Sequence, residues 1–246
     1  LPLASAYHRP HSLDEARSLL SEDNRVALAG GTIVNADREH TGIEVVDLQG
    51  LGLKGVSIGG GRITIEAMVT LAELSDGDLT AETLSGPLGD GLRAIARAEL
   101  PSTLRTRATV GGTVAAMESE SLLAAALLAC DGQATLADGT TTPLADLFGS
   151  GLPPAALITS ISIAGEGYLA TAVTGRTPAD TPIVAAVAHR LGDATTVALT
   201  GVSATPVLVD PASPADGLEP PDDFRGSADY RRQLAVTLTR RALEAL

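Results

Sequence analysis

Two stretches of this chain end alike: VALAGGTIV at 26–34 and RATVGGTVAA at 107–116 both run apolar or β-branched residues into Gly-Gly-Thr. β-branched side chains favour a pleated strand. Paired glycines weaken one, so each pair marks a bulge, a sharp turn or a close approach to the backbone. Neither loop carries the Gly-Lys-Ser/Thr of a P-loop, and neither fits G-x-G-x-x-G. Consecutive glycines do let main-chain N–H groups converge on an anion. Thr32 and Thr113 would add hydroxyl donors. Either loop alone is equally a tight turn in an irregular sheet. Together the two could hold a diphosphate from both sides.

Charge sharpens that reading. The 246 residues carry a formal net charge of −13, which repels a phosphorylated ligand at long range. A phosphate site must then be local and made of backbone donors. Nucleic acid is excluded as a partner, because aromatics are only 2% of the chain and no basic stripe exists. The core must come from Ala, Val, Leu and Ile. The single cysteine, Cys130, ends an apolar helical run and reads as core filler. One cysteine makes neither an internal disulfide nor an iron–sulfur cluster. His8, His11, His40 and His189 lack ligand spacing and read as surface or loop residues. No apolar run reaches membrane-spanning length, and LPLASAYHRP lacks a secretory pattern. A soluble cytoplasmic protein is the expectation.

Capping boxes at Ser12/Glu15 and Thr70/Glu73 predict helix starts. VSIGGGRITIEA predicts a hairpin. Helices are expected from about Pro87 to Glu99 and from Ser121 to Cys130, and LITSISI reads as a closing strand. Beyond AGEG at 164–167, four strand-like runs precede a Pro- and Asp-rich loop and a C-terminal helix. Leu234, Leu238 and Leu243 share one face of that helix, and its arginines read as a solvated face. The fold class is α+β, in two domains divided at 1–164 and 165–246. GVSIG at 55–59 matches the G-x-S-x-G of serine hydrolases, but its serine sits inside a strand entering a hairpin, where that chemistry needs strand, turn and helix. Glu118 and Glu120 read as dipole partners of the helix they precede rather than as a catalytic pair.

The chain resembles the FAD-binding, or medium, subunit of the molybdenum hydroxylases, the family of carbon monoxide dehydrogenase and xanthine dehydrogenase. YHRPHSLDEARSLL is similar to the family's opening helix, and LAGGT to its first flavin loop. ITIEAMVTLAEL is similar to the segment between the loops, and LRTRATVGGTVA to the second loop. ADYRRQLAVTLTRRALEAL resembles the helix of its small terminal domain. The resemblance implies a PCMH-type FAD-binding domain followed by a sheet-and-helix domain. It implies that FAD lies with its diphosphate between the loops. Ala29, Gly30, Gly31, Thr32, Ile33 and Val34 would line the first loop, and Thr109, Val110, Gly111, Gly112 and Thr113 the second. Asp180 and Thr181 would fall near the flavin ring. No catalytic side chain and no metal ligand is implied. The implied partners are a molybdenum-cofactor large subunit and a 2Fe-2S small subunit, with NAD or oxygen as acceptor.

The sequence departs from the family pattern at four residues and in a shorter segment after the first loop. Ile33 follows Thr32 where Asp is common, Thr113 replaces Asn, Leu122 replaces Asp and Ala172 replaces Lys. Each lost polar contact is worth about 1 kcal/mol. The competing reading is therefore a flavin-free member of the fold, serving as a scaffold or binding another small ligand.

Overall fold

A computed structural model describes residues 4–34, 36, 42–76, 84–175 and 180–246. His40 and the stretch 176–179 lie outside them. The chain opens with β1 (Ala6–His8) and α1 (Leu13–Leu20). Ser12 caps α1 by accepting from the Glu15 N–H, and Glu15 reaches back to the His11 N–H. Next come β2 (Arg25–Leu28) and β3 (Glu44–Asp47), which form with β1 a parallel sheet of order β1-β3-β2. The first glycine loop leaves the C-terminal end of β2, an edge strand of this sheet.

β4 (Val56–Gly59) and β5 (Arg62–Glu66) make the expected hairpin. Gly60 and Gly61 turn it, at φ of 59° and 73°, which side-chain-bearing residues rarely adopt. Ser57 pairs with Thr64 in mid-strand, so no nucleophile elbow exists at GVSIG. α2 (Leu71–Asp76) begins at the Thr70/Glu73 capping box, each residue bonding the other's N–H. α3 (Gly86–Glu99) and α4 (Ser102–Arg105) lead to α5 (Val110–Ala116) and α6 (Leu122–Ala129). All eight residues of α6 are buried. β6 (Gln133–Leu136), β7 (Thr141–Pro143), α7 (Leu144–Ser150) and β8 (Ile158–Ala164) follow. The second sheet is antiparallel, of order β4-β5-β8-β6-β7, and packs on the helices through Ile63, Ile65, Ile161 and Ile163.

β9 (Tyr168–Thr174), β10 (Val184–Leu191), β11 (Ala194–Thr200) and β12 (Val207–Val209) form an antiparallel meander ordered β12-β11-β10-β9. α8 (Ala228–Glu244) covers one face. Alternation divides β10 between two cores. Val184, Ala186 and Ala188 pack with Ala235, Leu238 and Ala242 of α8, while Ala185 and Val187 join the core containing α6. Helices and mostly antiparallel sheets in this arrangement are the expected α+β fold.

Three local expectations fail. The β-branched run at 107–116 is helix from Val110 onward: Thr109 turns its hydroxyl to accept from the Gly112 N–H, which favours a helix start over a strand. His189 is buried in β10, with its Nε2 3.0 Å from the Glu166 carbonyl oxygen. Arg231 is 1% exposed, not solvated. Its Nη2 donates to both carboxylate oxygens of Asp223, at 2.8 and 2.9 Å, and its Nη1 to the carbonyls of Ile183 and Gly201. That satisfaction is what allows a charge to be buried.

Candidate functional site

The two glycine loops meet. Gly30 packs so closely on the turn before α5 that a Cβ there would lie 1.8 Å from the Arg107 carbonyl oxygen. Gly111 packs against Ala67, where a Cβ would come within 2.5 Å of the alanine methyl. Gly31 has φ 73°, a conformation that costs other residues about 1–2 kcal/mol. The glycines therefore bring two backbone segments together at one wall of a cleft of about 390 Å³.

All six residues from Ala29 to Val34 line this cleft, as do Thr109, Gly111, Gly112, Thr113 and Thr181. Val110 does not. It is fully buried in the core beneath. Asp180, next to Thr181 in the chain, is also absent from the lining. Leu48, Leu53, Met68, Leu152, Leu157 and Ile158 supply apolar walls. These apolar positions come from five separate segments, so no local motif could have announced them.

The main-chain donors of the two loops differ. Val110 N–H donates to Val69, Gly111 N–H to Ala67, Thr113 N–H to Thr109 and Gly112 N–H to the Thr109 hydroxyl, at 2.9 to 3.1 Å. The N–H groups of Gly30, Gly31, Thr32, Ile33 and Val34 donate to no acceptor among the described residues. Backbone donors in partly buried places seek a partner in solvent or ligand. The free donors thus lie on the first loop, while the second is a braced wall.

Among the described residues no Lys, Arg or His lines the cleft, but Glu99, Glu118 and Glu120 do. Glu99 crosses from the end of α3 to the start of α6. It accepts from the Ser121 hydroxyl at 2.6 Å and from the Leu123 N–H at 2.8 Å. Burial pushes its carboxyl above the usual carboxylate range, against the lowering effect of those bonds. Sequence reasoning missed Glu99, whose capping role spans 22 residues. Ser121 itself caps α6, and Glu120 pairs with Arg225 rather than serving the helix dipole. Cys130 is a buried free thiol, its pKa raised by desolvation. Among the described residues no group of His, Cys, Asp or Glu could hold a metal, and no helix is long and apolar enough to cross a membrane.

The fold is thus mixed α/β, with two glycine loops and apolar walls enclosing one cleft. The chain belongs to the family described as the FAD binding domain in molybdopterin dehydrogenase, whose family model matches residues 3–163. It is 29% identical to the uncharacterized protein YgfM of Escherichia coli K12, over 94% of this chain and 92% of that one. CO dehydrogenase from Oligotropha carboxidovorans superposes with a TM-score of 0.86 at 25% identity, covering 99% of this chain and 98% of that one. Carbon monoxide dehydrogenase from Hydrogenophaga pseudoflava gives 0.89 at 21%, covering 100% and 98%. Quinoline 2-oxidoreductase from Pseudomonas putida 86 gives 0.83 at 21%, covering 100% and 97%. FAD is the cofactor this family binds.

The residues present fit that group. The first loop offers N–H donors unclaimed among the described residues to a diphosphate, the apolar walls suit a ring system, and Glu118 can accept hydrogen bonds from sugar hydroxyls. Of the departures, Leu122 is buried in the core and Ala172 packs beside α8. Neither leaves an unpaired polar group behind.

Proposed function

We propose that this chain is the FAD-carrying electron-transfer subunit of a molybdenum hydroxylase. In this reading residues 1–164 are the cofactor-binding domain, and residues 165–246 close one side of the cleft. The observation that carries it is the set of N–H groups at Gly30–Val34 that find no partner among the described residues, in the cleft that both glycine loops line. An amide cradle explains how a chain of net charge −13 holds an anionic dinucleotide without a lysine. Bound flavin would supply two-electron redox chemistry with one-electron access, passing electrons from a 2Fe-2S partner to NAD, oxygen or another acceptor. The chain's own residues bind and orient it. Gly30 to Val34 hold the diphosphate, while Thr109, Gly111, Gly112 and Thr113 form the facing wall of the cleft. Apolar walls exclude water, and Thr181 stands at the rim. Asp180 belongs to the same rim segment. A molybdenum-cofactor large subunit and a 2Fe-2S small subunit are the proposed partners, which suits a chain with one cysteine and no metal cluster of its own among the described residues. A cytoplasmic setting suits a single buried free thiol.

Co-expression with the neighbouring coding sequences tests this. The expected result is a complex containing molybdenum, iron and one flavin per copy of this chain, whose flavin colour bleaches when the substrate of the molybdenum subunit is added. A colourless chain that stays so after incubation with FAD would favour the flavin-free scaffold instead.

A further inference from the structure

Arg225 lies far from both glycine loops in sequence, yet it joins two walls of the cleft. It sits in a turn anchored on its own side. The Asp223 carboxylate accepts from the N–H groups of Arg225 and Gly226 at 2.8 and 3.2 Å, and the buried Arg231 holds that same carboxylate. From this fixed base the Arg225 guanidinium reaches outward. Its Nη1 pairs with Glu120, in the connection between α5 and α6. Its Nη2 donates to the carbonyls of Thr181 and Pro182, at 2.7 and 2.9 Å. Glu120 and Thr181 both line the cleft. One planar cation thus satisfies three acceptors on two segments, a task its fixed fork performs and a lysine ammonium does not.

We propose that Arg225 is a positioning residue that latches the Thr181–Pro182 segment to the Glu120 wall and so sets how fast the cofactor leaves. It touches no ligand itself. A second tie, from the Gly201 N–H to the Ser119 carbonyl at 2.8 Å, joins the same two parts of the fold. The Arg231–Asp223 pair is untouched by changes at Arg225. Loss of the latch therefore loosens the rim without unfolding the chain.

Two measurements test it, and only the second rests on the flavin reading. In FAD-free protein, Arg225→Ala should speed hydrogen exchange at the Ile183 amide, which donates to the Thr174 carbonyl at 2.6 Å, at least tenfold, with melting temperature little changed. Unchanged exchange overturns the latch whether or not FAD binds. In FAD-loaded protein, the same variant should release FAD at least tenfold faster while association changes less than about threefold. Glu120→Ala should act alike, and the double variant should be no worse than the worse single one. Salt should speed release from the wild type but not from Arg225→Ala, and Arg225→Lys should fall between the two. Unchanged release, or additive effects of the two substitutions, overturns the retention role. A wild type that takes up no FAD overturns the flavin reading and the retention role with it, and the exchange result then decides the holding role alone.

Discussion

Gly30 is the residue on which the junction of the two loops turns. Its missing Cβ leaves room for the Arg107 carbonyl, so Gly30→Ala must push the loops apart. The expected cost is about 1–3 kcal/mol, as for other overpacked sites, together with a marked loss of FAD affinity. A thermal melt and a flavin-fluorescence titration check both, and an unchanged affinity would show that the loops need not touch. Gly30 was legible in the sequence as a glycine that matters, but its reason was not. The contact is with a backbone 77 positions away, which no local pattern encodes. Glu99 makes a second test. Its folded pKa is raised above the ordinary 4.5, so its favourable contribution is complete below about that pH and is lost as pH rises through the higher folded value. Glu99→Gln removes the titration. Urea midpoints measured from pH 4.5 to 8 should show the wild type losing ground steadily against the variant, whereas parallel profiles would contradict the assignment.

At the scale of elements, the helices that begin with a capping box were readable. Ser12/Glu15 and Thr70/Glu73 announce themselves by type and spacing, and both form. α5 was not readable as a helix, because β-branched residues and paired glycines argue against one. The signal that could have found it is Val110 and Val114, four apart and both fully buried. Thr109 decides the matter by capping. Thr109→Val keeps the shape and removes the acceptor for Gly112 N–H, so it should cost about 1 kcal/mol, read from a denaturant midpoint. No change would mean that packing of Gly111 on Ala67 alone starts the helix. Arg231 escaped the reading for another reason: charge in an amphipathic helix normally faces water, and its partner lies in a Pro-rich loop eight residues away. Arg231→Leu strands two carbonyls. Asp223 keeps its two backbone N–H partners, so a loss of about 1–3 kcal/mol is expected from the buried carbonyls, and no loss would show that the pair is dispensable.

Across the whole molecule, the cleft is a junction of parts that fold for different reasons. The small parallel sheet delivers the first loop, the helical core braces the second, and the C-terminal meander delivers Thr181 and, through α8 and its preceding turn, Arg225. The run of strand and helix signals made the fold class readable, and the resemblance carried by the two glycine loops and the C-terminal helix made the cofactor readable. The apolar walls, the carboxylates and the latch come from side chains brought together only by the fold, so residue patterns could not reveal them. The division of labour between loops is likewise a property of the assembled structure, since both read Gly-Gly-Thr. Hydrogen exchange of the main-chain amides, with and without saturating FAD, tests that division most directly. The amides of Gly30 to Val34 should exchange fast in the free protein and slow at least tenfold with FAD, while those of Val110 to Thr113 should be slow in both. Protection by FAD confined to the second loop, with Gly30 to Val34 unmoved, would contradict the account.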